Sequence, residues 1–231
     1  MDPRARADFH CHSSASFDGE VDPVRLLELA RDRGLTHLAI TDHETIAGFI
    51  VARDADVPGI TLIPAQEVRT IEGDLILLFI QRSVAAGLSV EETVGLASEQ
   101  GAVIGLAHPF DVYRPSVGRG AVRPADLVRL AELVDYVEVH NGRIRDQVAH
   151  ARAADFARDH GLPQVAVSDA HTEQEVGRST TLLDGDIATA HELLAALRRG
   201  PTLRVRETAN AQAEEDEGSL DRLRRRFRTA G

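Results

Sequence analysis

Lysine is absent from the 231-residue chain, so all 26 basic side chains are arginine. That excludes Schiff-base chemistry on a lysine amine and any lysine-derived bridging ligand. Tryptophan is also absent, and aromatic residues make up only 4% of the chain. The single cysteine, Cys11, cannot close an internal disulfide, which fits a reducing compartment. No run of about 18 apolar residues occurs, so no membrane-spanning helix and no membrane partner are expected. Residues 1–9 carry charge without an apolar stretch, so a secretory signal is not expected and a cytoplasmic location is. There is no G-x-S-x-G elbow of the serine hydrolases. The formal charge of −11 argues against a broad nucleic-acid footprint. Nucleic acid is expected, if at all, only as a short substrate.

What is present is a 43% hydrophobic chain with a regular rhythm. Apolar strand patterns fall at about 7–12, 36–41, 60–68, 74–80, 102–107, 136–139 and 164–167. Helical patterns fall between them, several with start signals: Asp22-Pro23 supplies a cap and a first-turn proline, and Ser89-x-x-Glu92 reads as a capping box. Alternation of this kind predicts a parallel sheet with helices outside. The length and regularity favour an α/β fold closed as a (β/α)7 TIM-like barrel with parallel strands. Its chemistry is expected at the C-terminal rim. The barrel domain is expected to span 1–206. The rest, 207–231, is a charged tail: acidic at 207–218, then arginine-rich, with Leu220, Leu223 and Phe227 at amphipathic helical spacing.

Six of the ten histidines stand at expected strand ends. His10 and His12 are two apart, as are Asp169 and His171, and in extended chain such pairs share one face. Cys11 then points the other way. Asp42-His43, Glu67, His108 and His140 end other strands, and Asp18 lies on the loop after the first. Alternation alone does not say whether Asp42 or His43 faces the rim. Imidazoles and carboxylates crowded onto one rim repel one another unless cations hold them. Mixed nitrogen and oxygen donors suit Zn, Mn or Fe rather than Ca. Nine donors are too many for one ion and suit two or three.

These motifs, His10-x-His12, Thr41-Asp42-His43, Glu67, His108-Pro109, His140 and Ser168-Asp169-Ala170-His171, resemble in order and spacing those of the PHP (polymerase and histidinol phosphatase) family. The resemblance covers roughly residues 8–200. It implies a distorted (β/α)7 barrel and a trinuclear metal centre. His10, His12, Glu67 and Asp169 would hold the first ion. Glu67 would bridge to a second held by His108 and His140. Asp18, His43 and His171 would hold the third. The resemblance favours His43 over Asp42 as the ligand, leaving Asp42 in support.

Water between two divalent ions is acidified and can be hydroxide at neutral pH, so a metal-dependent phosphoesterase is expected. The catalytic candidates are Asp169, His171 and His43, with Asp169 or His171 passing a proton to the leaving group. Arg114, on the long segment 111–124 after the His108 strand, is the first candidate phosphate clamp, followed by Arg143 and Arg178. No large insertion offers a second binding domain, so a small phosphomonoester is the leading substrate. A phosphodiesterase or 5′-3′ exonuclease acting on nucleotides or short RNA is the alternative. A non-catalytic metal-binding regulatory domain is a third reading, which the full ligand set opposes.

Overall fold

A computed structural model describes residues 4–117 and 124–205. The tail at 207–231, and Arg119 and Arg123 of the long loop, lie outside the described residues. Nine strands form one sheet: β1 (Arg4–Asp8), β2 (His37–Ile40), β3 (Thr61–Arg69), β4 (Asp74–Leu78), β5 (Val103–Leu106), β6 (Tyr136–Asn141), β7 (Gln164–Val167), β8 (Ser179–Asp184) and β9 (Thr202–Val205). Among the described residues six α-helices accompany them: α1 (Pro23–Asp32), α2 (Ala47–Asp54), α3 (Val90–Ser98), α4 (Pro124–Leu133), α5 (Gln147–Asp159) and α6 (Ala190–Arg198). The start signals act as their chemistry demands. Asp22 accepts the N–H groups of Val24 and Arg25, and Ser89 and Glu92 close a reciprocal capping box.

The sheet runs β7-β6-β5-β4-β3-β2-β1-β8-β9 and curls into a nearly closed barrel. The ring is closed where the segment after β1 bridges to the segment after β7, Cys11 to Ala170: His12 N–H donates to Ala170 O at 2.8 Å and Asp169 N–H to His10 O at 2.8 Å. The expected α/β barrel is therefore present, but it is more distorted than strict alternation implies. β4 runs antiparallel to β3 and β5, and β8 antiparallel to β1 and β9. The short loop between β3 and β4, residues 70–73, leaves no room for a crossover helix, so the chain must double back. β8 and β9 escaped the sequence reading because neither is a clean apolar run.

Inward and outward side chains sort with period two. Ile76 and Leu78 join the barrel interior with Ala7, Phe9, Ala65 and Tyr136, whereas Leu75 and Leu77 pack outward with residues of α3, α4 and α5. A separate outer cluster joins α1 and α2 to Leu38, Ile40 and Cys11. Helix α6 gives Leu193, Ala196 and Leu197 to the interior cluster and plugs one end of the barrel. That end is the one where β2 begins, since His37 meets Asp186, just before α6, at 2.9 Å. The opposite end stays open for chemistry.

Inside the barrel, Tyr136 is fully buried and lies against Gly105 of the neighbouring strand. A Cβ on residue 105 would stand 2.2 Å from the Tyr136 ring. Gly105→Ala is therefore expected to overpack the interior and cost about 1–3 kcal/mol, read as a lower urea midpoint. Gly105→Ala with Tyr136→Phe would leave most of that cost in place, because the ring carbons clash as well as the hydroxyl.

Candidate metal centre

Regular pairing of β1 stops at Asp8, and the next residues build the site. Ala5, Ala7 and Phe9 belong to the barrel interior, yet His10 and His12 face the mouth. The change of face is held by Asp8, whose buried Oδ1 accepts the N–H of Ser168 at 3.0 Å and of His10 at 3.4 Å. Burial pushes the Asp8 carboxyl up to about 6 despite these hydrogen bonds. His10 and His12 share a face as their spacing predicts, with ring centroids 5.1 Å apart, and Cys11 packs the other way with the α1–α2 layer.

The other strand ends converge on this pair. His10 Nε2 lies 3.2 Å from Glu67 Oε2 and 3.4 Å from Asp169 Oδ1; His12 Nε2 lies 3.2 Å and 3.5 Å from the same atoms. His108 Nε2 meets Glu67 Oε1 at 3.0 Å. On the outer side, Asp18 Oδ2 lies 3.2 Å from His43 Nε2 and 3.1 Å from His171 Nε2. Four overlapping groups have ligand atoms within 4.8 Å of one another: His12-Asp18-His43-His171, His10-His12-Glu67, His10-His108-Asp169 and Glu67-Asp74-His108. His108 and Asp169 have positive backbone φ values of 26° and 53°. Such conformations cost non-glycine residues about 1–3 kcal/mol and persist where the surroundings impose them.

His140 departs from expectation. Pairing of β6 with β7 slips between Glu138 and His140, and the bulge turns Glu138 and Asn141 toward the cluster and His140 away. The His140 ring stacks on His150 at 4.4 Å, and its Nδ1 lies 3.2 Å from Ser179 Oγ. Burial, then the neighbouring His150, pulls His140 down to about 4. Arg178 also departs: it lines a separate depression with Arg6, Thr180 and Arg204, beside Glu175. Asp42 does not touch the ring of His43. It accepts Ser13 N–H at 2.6 Å and Ser13 Oγ–H at 2.7 Å, and so steadies the loop that follows His12. Gly48 makes room for that carboxylate, since a Cβ there would stand 2.0 Å from Asp42 Oδ2.

Two acidic residues missed in the sequence complete the cluster. Asp74 opens an otherwise apolar strand, and because β4 runs antiparallel its first residue stands at the rim rather than the plugged end. Glu138 is buried in β6 and takes His10 Nδ1 at 2.7 Å, which turns His10 Nε2 inward. Its other oxygen accepts His108 N–H at 3.0 Å and Asn141 Nδ2–H at 3.2 Å. A carboxylate in this role fixes the tautomer and orientation of a ligating imidazole. The available signal was a lone acid flanked in its strand by Val137 and Val139.

Charge in the centre is balanced locally. Burial disfavours the imidazolium of His10, but Asp169, Glu138 and Glu67 outweigh it and hold His10 well above the usual range. Burial opposes His12 in the same way, and the neighbouring carboxylates of Asp169 and Glu67 raise it to about 9. Glu67 and Asp169 are held far below the carboxylate range against burial, both through His10 first and Asp169 through Arg114 next. Arg114 bonds Asp169 directly and Asp111 at 2.6 Å. Asp169 Oδ1 lies 3.4, 3.5 and 3.6 Å from nitrogens of His10, His12 and His171, yet no hydrogen-bond donor satisfies it. An orphaned buried oxygen ringed by imidazole nitrogens fits a divalent cation, and the donor set suits Mn, Fe or Zn. A cavity of about 420 Å³ opens over the cluster, with Arg69, Arg114, Arg143 and Arg145 among its lining residues.

Barrel and ligand set together define a metal-binding α/β barrel with its centre at the mouth. The PHP domain model matches residues 8–101, and the PHP-associated (PHP_C) model matches residues 148–202. Uncharacterized protein MJ1587 of Methanocaldococcus jannaschii is 30% identical over 157 residues, 63% of this chain and 86% of that protein. A 5′-3′ exoribonuclease of Haemophilus influenzae is 45% identical over 64 residues, 27% of this chain and 23% of that protein. Among solved structures, a two-domain protein of Bacteroides vulgatus containing a predicted PHP-like metal-dependent phosphoesterase superposes with a TM-score of 0.67 at 23% identity. That match covers 88% of this chain and 65% of that one. The lesion-specific endonuclease EndoQ of Pyrococcus furiosus gives a TM-score of 0.62 at 19% identity, covering 87% and 57%. The chain belongs to the PHP family.

Two outcomes are expected of the centre. Asp74→Ala should lower bound metal per chain, measured by elemental analysis after dialysis, whereas His140→Ala should leave it unchanged; the reverse pattern would restore His140 as the ligand. His12 must lose a proton before it binds a metal ion. Its proton is held up to about 9, so acid competes with metal. Affinity should strengthen as pH rises from neutral toward about 9, with proton release visible by calorimetry in buffers of different ionisation enthalpy.

Proposed function

We propose that this protein hydrolyses a small phosphomonoester at a centre of two or three divalent ions (Mn, Fe or Zn). The ligands are His10, His12, Asp18, His43, Glu67, His108, Asp169 and His171, with Asp74 in the place expected of His140. The supporting observation is the conjunction of overlapping histidine–carboxylate groups with a cavity whose lining includes four arginines. When bound, the ions supply positive charge for the phosphoryl oxygens and an acidified water. The chain supplies the rest. Arg114 and Arg143 clamp phosphate oxygens by charge-assisted hydrogen bonds. Arg114 is shared with Asp169 and Asp111, so it stands over the centre rather than trailing in solvent. Burial keeps His43 and His171 below the usual imidazole range, so both offer unprotonated nitrogens to a metal ion. Asp169, tied by Asn141 Nδ2–H at 3.0 Å, orients the centre beside them.

A second reading, hydrolysis of phosphodiesters at the 5′ end of short RNA, draws on the similarity to the Haemophilus exoribonuclease. Side-by-side assay of p-nitrophenyl phosphate and bis-p-nitrophenyl phosphate with the metal-loaded protein separates the two. Faster cleavage of the monoester is expected. His10→Ala and Asp169→Ala should each lower that rate about a hundredfold or more. Undiminished activity in either variant would move the chemistry elsewhere.

A further inference from the structure

Arginine also gathers on the outer wall of the barrel, away from the metal centre. A depression of about 500 Å³ is lined by Arg6 of β1, Arg178 just before β8, Thr180 of β8 and Arg204 of β9. It shares no lining residue with the mouth cavity. Sheet register explains the grouping. Ala5 and Ala7 turn into the barrel, so Arg6 turns out. Arg6 pairs with Leu182, two residues from Thr180, and Thr180 pairs with Arg204, so all three side chains share the outer face. Arg6 is fixed there, with Nε donating to Thr180 Oγ1 at 3.4 Å and Nη1 to Arg33 O at 3.1 Å. No carboxylate lines the depression. Glu175 comes only within 4.0 Å of Arg178 Nη1, and its other oxygen is occupied by the N–H groups of His171 and Thr172. Arg178 Nε is buried, and no oxygen of the described chain accepts from it. Arg204 is exposed, and no described carboxylate pairs with it. A buried donor without an acceptor is costly, and like charges crowded on one wall repel.

We infer that this wall is an oxyanion site distinct from the metal centre. Arg178 and Arg204 bind the oxygens of a carboxylate or phosphate, and Arg6 adds charge from β1. The planar guanidinium fork matches the paired oxygens of both groups. An oxyanion here gives Arg178 Nε its acceptor and relieves the repulsion among three cations. That chemistry has two sources. One is free phosphate. The other is the chain itself, because Val205 also lines the depression and the acidic stretch begins two residues later. Residues 207–218 include Glu207, Glu214, Glu215, Asp216 and Glu217 and no basic residue. At about 3.3–3.6 Å per extended residue, such a stretch is long enough to return to the wall it leaves.

The absence of lysine makes the test specific. In the full-length protein, Arg178→Lys or Arg204→Lys keeps the positive charge and adds the only side-chain amine. A zero-length carbodiimide joins that amine to a carboxylate in contact with it, and mass spectrometry identifies the partner. For Arg178→Lys a link to Glu175 is the internal control. Arg158→Lys, on the exposed face of α5, is the reference. Links from both wall positions to the acids at 214–217 of the same chain, and none from the reference, identify the chain's own carboxylates as the occupant. In the second arm, phenylglyoxal modification of Arg178 and Arg204 is followed residue by residue in the parent protein, with Arg158 again as the reference. Millimolar inorganic phosphate should slow both wall arginines about threefold or more, beyond chloride at equal ionic strength. Such protection without links to 214–217 identifies free phosphate as the occupant. Neither links nor protection, or the same behaviour at Arg158, would overturn the inference.

Discussion

Two buried carboxylates, Glu67 and Asp169, set the terms for the rest of the molecule. An ionised carboxylate taken out of water costs several kcal/mol unless opposite charge and hydrogen bonds answer it. Here the answer is assembled from every side of the barrel mouth. His10 and His12 come from the end of β1, His108 from the end of β5, and Arg114 reaches in from the loop that follows. In this arrangement the raised imidazoles of His10 and His12 and the Arg114 guanidinium answer the negative charge. Divalent ions would do the same work and release those protons, which links metal affinity, pH and stability through a single cluster.

The architecture serves that balance. A closed ring of strands brings residues more than a hundred positions apart within hydrogen-bond distance, as with His10 and Glu138. Helix α6 seals the far end, so the mouth is the end left open to substrate. Irregularities gather where the cluster's side chains are aimed: the loss of regular pairing after Asp8, the bulge in β6, and the positive φ angles at His108 and Asp169. Regular strands alternate strictly, and a cluster that needs neighbouring positions to face inward has to break that rule locally.

Much of the centre could be read from the chain. The pairs His10–His12 and Asp169–His171, with Glu67 and His108, carry their own geometry, because two-residue spacing in extended chain puts side chains on one face. Asp74 and Glu138 were hidden for different reasons. Asp74 lies at a strand start, which in a parallel strand is the wrong end of the barrel, and only the antiparallel course of β4 carries it to the rim. Glu138 touches no substrate cavity and acts through His10, so its role exists only once the two strands are placed. His140 misled because its position at a strand end is sound and its direction is not. One slipped residue in the pairing with β7 separates it from the cluster.

The sequence by itself determined the type of fold, most members of the histidine–carboxylate cluster at its mouth and the donor chemistry they present. These follow from local periodicity and from donor chemistry, which belong to residues and their immediate neighbours. The tertiary structure alone decided which way each strand runs, which side chains a bulge redirects, and which arginines share a cavity with the metal ligands. Those are properties of pairing between distant segments, and the register of a sheet is fixed by the partner strand as much as by the strand itself.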